Sequence, residues 1–184
     1  MQIDCLVYLN VSYLKNMNTT IRFTETQRFK QWWLWLLLIG LSAVIISAMI
    51  YQITYEQPVG DNPMSDSGLI ISSVIILLLN VIFFIFKLET HIDKEGIHIR
   101  FFPFHMKFRT YKWVDMSECY LRQYSPISEF GGWGIKGWPS NMAFNVSGNQ
   151  GIQITFKEGK KLLIGTNSVQ LTDDALKLFF LNNK

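Results

Sequence analysis

Three histidines, His91, His98 and His105, stand close together in the sequence. Imidazole is the commonest metal ligand and the side chain best suited to proton transfer near neutral pH. A metal pair of His91 and His98 is conceivable, but their spacing is neither HxH nor HxxxH and no second shell is readable, so solvated strand histidines are expected. Cys5 and Cys119 lack a CxxC or Cys/His neighbourhood, which argues against structural zinc and thioredoxin-like redox chemistry. The serines form no GxSxG elbow, and neither GxxxxGK[ST] nor GxGxxG occurs. No cofactor or metal is therefore expected, and the net charge of +3 carries no nucleic-acid signal.

The richest stretch is the segment from Tyr124 to Trp138, which includes Pro126, Glu129, Phe130, Gly131, Gly132, Trp133, Gly134 and Lys136. Its glycines permit close backbone approach, its aromatics offer apolar area and Lys136 offers charge. Two readings stand side by side. The segment is a recognition loop for a protein or a lipid headgroup, or Trp133 folds back to plug an open sheet. Glu129 is a partner-binding acid or, preferably, a local ion pair with Lys136. A second set, Lys107, Arg109, Lys112, Lys160 and Lys161, either faces an anionic leaflet or forms a solvated face.

The elements that hold these residues follow from charge and apolar patterning. Charged residues make up 17% of the chain, against about a quarter in ordinary soluble domains. The deficit is local: residues 1–86 carry 9 charges and residues 87–184 carry 22. Gln31 to Tyr55 and Ser67 to Phe86 are uncharged, and 20 residues at 1.5 Å each match a hydrocarbon core of about 30 Å. Two transmembrane helices, about 32–53 and 67–86, are expected in place of a signal peptide or two core helices. Trp32, Trp33 and Trp35 at one end, with Tyr51 and Tyr55 at the other, fit interfacial belts. Lys15, Arg22, Arg28 and Lys30 precede the first run, and Lys87 and Lys94 follow the second. The link between the runs has Glu56, Asp61 and Asp66 but no Lys or Arg. The positive-inside rule then puts both termini in the cytoplasm. Within the hairpin, Ala43 and Ser47 form a small-xxx-small pair. Asn80 is a helix staple or a functional polar group.

From Leu88 the pattern alternates with period two, giving about seven antiparallel strands and a closing helix capped by Thr172. Tyr124 to Asn141 reads as one long loop. In the closing helix Leu176, Phe179 and Phe180 form an apolar stripe, and Asp173 can pair with Lys177. The domains expected are a tail and juxtamembrane segment (1–30), a transmembrane hairpin (31–86) and a cytoplasmic β-domain (87–184). Met17 reads as a natural start, which leaves 1–16 as an over-called beginning or a disordered tail. The Asn-x-Ser/Thr triplets at Asn10, Asn18 and Asn145 fall on the cytoplasmic side, so glycosylation is discounted.

The first hairpin, Trp113-Val114-Asp115-Met116, the last hairpin ending in Ile164-Gly165-Thr166 and the closing helix together resemble the pleckstrin-homology-like (PH-like) fold. With the preceding helices, the chain is similar to bacterial membrane-anchored PH-like proteins of unknown function over about residues 21–182. Gly131-Gly132-Trp133-Gly134-Ile135-Lys136 resembles a signature of some of those proteins. The resemblance implies an α+β membrane protein. A two-helix transmembrane hairpin carries a bent antiparallel sheet, or partly open barrel, closed by a C-terminal helix in a bacterial inner membrane. It carries no ligand or reaction with it. The function expected is a non-enzymatic membrane-anchored module that binds a partner protein or lipid headgroups. The alternatives are an accessory subunit of a membrane enzyme or transporter docking through the hairpin, and an enzyme with scattered acid–base residues.

Overall fold

The structure is a computed structural model that describes residues 23–180. The tail 1–16, with Cys5, Asn10 and the reading of Met17 as a start, lies outside the described residues, as does Asn18. The described chain begins with a strand, β1 (Phe23–Arg28), and continues into the helices α1 (Trp32–Tyr55) and α2 (Asp66–Ile85). At 24 and 20 residues they are about 36 and 30 Å long. Both are long and apolar enough to cross a membrane, and only 11% of each apolar window is buried, so they are not core helices.

Leu38 and Ser42 of α1 meet Leu69, Ser73 and Ile76 of α2 along the buried seam. Asn80 Nδ2 donates to Ser42 Oγ at 2.9 Å and to the Ile76 carbonyl at 2.8 Å. Asn80 is thus a staple inside the hairpin. Ala43 and Ser47 are exposed, which corrects the expected small-residue contact by a turn of the helix face toward Ser42. At the far end, Gln52 ties down the connection. Its Nε2 donates to Met64 O at 2.9 Å and Asp66 Oδ1 at 2.7 Å, and its Oε1 accepts from Val59 N–H at 3.3 Å. The Ser65 hydroxyl accepts from Gly68 N–H and caps α2.

After the hairpin come β2 (Lys87–Ile92), β3 (Gly96–Phe102), β4 (Arg109–Lys112), β5 (Met116–Gln123), a short helix α3 (Pro126–Phe130), β6 (Gly134–Trp138), β7 (Asn141–Asn145), β8 (Gln150–Phe156), β9 (Lys161–Gly165) and α4 (Val169–Phe179). With β1, nine strands stand among the described residues where about seven are expected. They form two sheets, ordered β1-β2-β3-β4 and β5-β8-β9-β7-β6, and every pairing is antiparallel except β7 with β9. Alternation puts Leu88, Ile92, Ile97, Ile99 and Phe101 of the first sheet inward against Phe144, Ile152, Ile154 and Ile164 of the second, with Val146 just beyond β7. The helix α4 closes this core with Ala175, Leu176, Phe179 and Phe180.

Two expectations change here. Residues 23–28, read as a juxtamembrane segment, form a full strand paired with β2 from Phe23↔Ile92 to Arg28↔Lys87. The chain therefore enters the β-domain on both sides of the hairpin. Helix α4 starts after Ser168, and Thr172 is a buried helical residue instead of its cap. Thr172 Oγ1 lies 2.9 Å from both Ser168 O and Thr166 Oγ1. The ion pair Asp173–Lys177 forms as expected.

The β2–β3 turn makes a pH-sensitive latch. Asp93 Oδ1 accepts from Glu95 N–H at 2.9 Å and lies 3.0 Å from His98 Nε2. Burial raises the Asp93 pKa, but the His98 contact and the Glu95 and Gly96 amides outweigh it and leave the carboxyl below its ordinary value. A carboxyl depressed on folding stabilises the fold above its unfolded pKa, and that contribution is lost as pH falls through the folded value. We expect the urea midpoint to fall between pH 5 and pH 3, and Asp93→Asn to flatten that slope. An unchanged slope in the variant would remove Asp93 from the acid response.

Candidate functional site

The segment 124–138 is built, not open. Pro126 opens α3 at a position where no amide hydrogen is needed. Gly131 closes α3 in the left-handed conformation, φ 71°. Its N–H donates to Ile127 O at 2.9 Å, and Gly132 N–H donates to Pro126 O at 2.8 Å, a Schellman arrangement. The second half of the expected loop is the strand β6, paired with β7 from Gly134↔Asn145 to Trp138↔Asn141. Gly134 N–H also donates to Asn145 Oδ1 at 2.9 Å.

The aromatics divide into two groups. Tyr124 and Phe130 are buried with Ala143 and Leu163, their rings edge-on at 6.0 Å. Trp133 is half-buried against the main core, and its indole N–H donates to Gly148 O at 3.0 Å. Its ring lies 6.4 Å from that of Trp33 at the start of α1, so Trp133 links the β-domain to the hairpin. Trp138 is 80% exposed at the end of β6, which is the end strand of its sheet.

Glu129 pairs with Arg122, correcting the expected pairing with Lys136. Arg122 Nη2 donates to Oε2 at 2.7 Å and Nη1 to Oε1 at 3.2 Å, and Ser125 N–H donates to Oε1 at 2.8 Å. The Arg122 guanidinium holds the Glu129 carboxyl below its ordinary value. Strand β5 runs into α3 through a tight corner, so a residue on the strand reaches Glu129 more directly than one on β6. Lys136 is half-buried on β6.

The basic set is spread over two sheets. Arg109 and Lys112 lie on β4 opposite Ile99 and Gly96, and Lys107 precedes them. Lys161 begins β9, and Lys160 pairs with Glu158 at 2.8 Å. Phe102 faces Lys87 at the foot of α2, whereas Gly96 faces Lys112. At 3.3 Å per residue, Lys112 is therefore roughly 20 Å along the sheet from that foot. These five residues do not make one surface at the base of the helices.

His91 and His98 face each other across β2 and β3. His91 Nδ1 lies 3.1 Å from Thr24 Oγ1, and its ring meets Phe108 edge-on. His98 faces Thr110 and Asp93, and His105 packs on Phe144. Cys119 is in the core, where burial pushes its thiol up to about 12. Among the described residues, no three His, Cys, Asp or Glu side chains converge in a way that could hold a metal ion. No protein-family model matches this sequence, and no curated protein is similar to it.

Proposed function

We propose that this chain is a non-enzymatic membrane-anchored interaction module. Helices α1 and α2 cross a bacterial inner membrane as a hairpin with both termini in the cytoplasm. The β-domain rests on the inner face, where it binds a partner protein. The observation that carries this reading is the edge at β6. It ends the five-stranded sheet, no strand among the described residues pairs with its outer side, and it presents the exposed Trp138. Such an edge offers unpaired backbone groups to an extended segment, and a large aromatic gives that segment an anchor.

The anchoring supports the same reading. Arg28 and Lys87 are register partners, so the strands leaving and entering the hairpin are hydrogen-bonded at its foot. Phe104 and Met106, 63% and 71% exposed, lie in the β3–β4 connection. The Phe104 ring sits 5.3 Å from that of Phe86 beside the end of α2. On this reading these exposed apolar side chains would meet the lipid interface. The four-stranded meander, the second sheet and the closing helix are compatible with the PH-like relationship. The parallel β7–β9 pair and a first strand ahead of the hairpin are departures from its simple form. Docking of an accessory subunit through the hairpin has less support, because Asn80 is satisfied within the hairpin.

A photocrosslinking residue in place of Trp138, in the full chain in native membranes, tests the edge. We expect a discrete protein adduct at 138 that is absent when the same residue replaces Lys94. Trp138→Glu is expected to lower partner recovery about tenfold or more, as for a central aromatic anchor, with an unchanged melting curve. Identical adducts at 138 and 94 would rule out β6 as the docking edge.

A further inference from the structure

Beside the partner edge, a second surface faces the bilayer itself. A groove of about 500 Å³ opens at the foot of the hairpin, lined by Arg28, Phe29, Lys30, Trp35 and Phe84. Its residues come from the end of β1, the start of α1 and the last turn of α2, so it lies where both helices leave the β-domain. The upper rim is cationic and the remaining wall is aromatic.

Neither cation is paired with an acid among the described residues. The six ion pairs among the described residues are Lys87–Glu89, His98–Asp93, Arg100–Glu89, Arg122–Glu129, Lys160–Glu158 and Lys177–Asp173, and none includes Arg28 or Lys30. Arg28 Nη1 makes only a long contact of 3.4 Å to the Phe84 carbonyl, which turns the guanidinium toward the groove. A guanidinium carries five N–H donors in a fork suited to phosphate oxygens, so most remain available. Below them, the Trp35 indole N–H donates to the Phe29 carbonyl at 2.8 Å. Its polar atom is thereby satisfied and its ring is presented as apolar wall. Phe84, 68% exposed, forms the opposite wall.

We propose that this groove binds one acidic glycerophospholipid, with its phosphate between Arg28 and Lys30 and an acyl chain between Trp35 and Phe84. Charge complementarity selects an anion, and the apolar wall continuing along two helices selects one that carries chains. A soluble phosphate would use only the rim. An acidic peptide would leave the aromatic wall uncovered at the level of the bilayer. The proposal rests on the membrane-spanning reading of α1 and α2, and it is independent of the β6 edge.

The test uses the full chain in nanodiscs of phosphatidylcholine doped with phosphatidylglycerol, with bromine on the acyl chains of one lipid at a time. Bromine quenches tryptophan on contact, and the part of the quenching that Trp35→Phe removes reports the groove. Brominated phosphatidylglycerol is expected to quench more than brominated phosphatidylcholine at equal mole fraction, with an apparent preference of about fivefold per cation. Arg28→Gln with Lys30→Gln should abolish the preference while the near-ultraviolet circular dichroism of the β-domain is retained. Lys94→Gln with Lys157→Gln removes the same charge away from the groove and should preserve it. Equal quenching by the two lipids in the unmodified protein, or loss of preference in both variants, overturns the groove. Equal quenching leaves the anchored module standing. Absence of quenching by either lipid would instead sink the membrane-spanning reading, and the groove with it.

Discussion

A fragment that begins at Lys87 is expected not to fold. The same fragment extended back to Phe86 and preceded by residues 23–29 and a two-residue turn is expected to be soluble and cooperative. The sequence alone invites the first design, because the apolar run ends at Phe86 and everything after it has an ordinary soluble composition. The sheet forbids it. Without β1, the whole of β2 becomes an edge, and Leu88 and Ile92 lose a flank of their cover. Glu25 is buried and accepts from Thr166 Oγ1 at 2.7 Å and from Asn167 N–H at 2.8 Å, while Gln27 Nε2 donates to Gly165 O at 2.6 Å. Hydrogen bonds to a charged group contribute about 1.5–3 kcal/mol each. Loss of a buried phenylalanine such as Phe29 costs about 3–5 kcal/mol. Together these exceed about 5 kcal/mol, comparable to the whole stability of a small domain. The repair is geometrically simple. Arg28 faces Lys87 in the ladder and the Phe29 and Phe86 rings are 6.1 Å apart, so an Asn-Gly turn can replace residues 30–85. Size-exclusion chromatography and urea denaturation of the two fragments decide the matter. A Lys87 fragment that unfolds cooperatively with a midpoint equal to that of the fused form would show that β1 is dispensable.

The same strand shows why part of this fold is not legible in the sequence. Helices α1 and α2 are, because twenty uncharged apolar residues have few alternatives, and their observed ends lie close to those expected. The β2–β3 hairpin and the stripe of α4 are also legible, since each shows one clean period. In β1 the fully buried inward residues are Glu25 and Gln27, only Phe23 at the strand's start is apolar on that face, and the outward ones include Thr24 and Thr26, so the usual apolar signal is weak. Burial is possible because Gly165, Thr166 and Asn167, 138 to 142 residues away, supply the partners. No local window contains that information. The strand β6 is hidden for another reason. Gly-Ile-Lys-Gly-Trp has weak strand propensity and follows two glycines, and its pairing with β7 places it on a sheet joined through the parallel β7–β9 ladder. Glu129 and Asn80 illustrate the limit for side chains. Their polarity called for partners, but choosing Arg122 over Lys136 for Glu129, or Ser42 for Asn80, depends on a corner angle and a helix rotation.

Gly137→Ala is expected to release β6 from the sheet while the rest of the domain stays folded. Gly137 has φ +89°, and a Cβ there would lie 2.1 Å from the Asn141 carbonyl oxygen and 3.2 Å from Met142 Cα. Both obstacles are backbone atoms of the strand it pairs with, so no side-chain rotation relieves them. A strained φ costs about 1–3 kcal/mol and overpacking a similar amount. A loss of about 3 kcal/mol exceeds what a five-residue end strand with two glycines can absorb, and it speeds local opening by about a hundredfold or more. Hydrogen exchange should therefore accelerate by that factor at Ile135, Lys136 and Trp138 and at their β7 partners. The amides of β8 and β9, held from both sides in the order β5-β8-β9-β7, should keep their protection. Adduct formation at position 138 should fall with the local opening, because a docking segment needs an ordered edge. If β8 and β9 lose protection together with β6, the edge is an integral part of the core. It could not then be disordered separately, and the partner site would have to be tested at Trp138 alone.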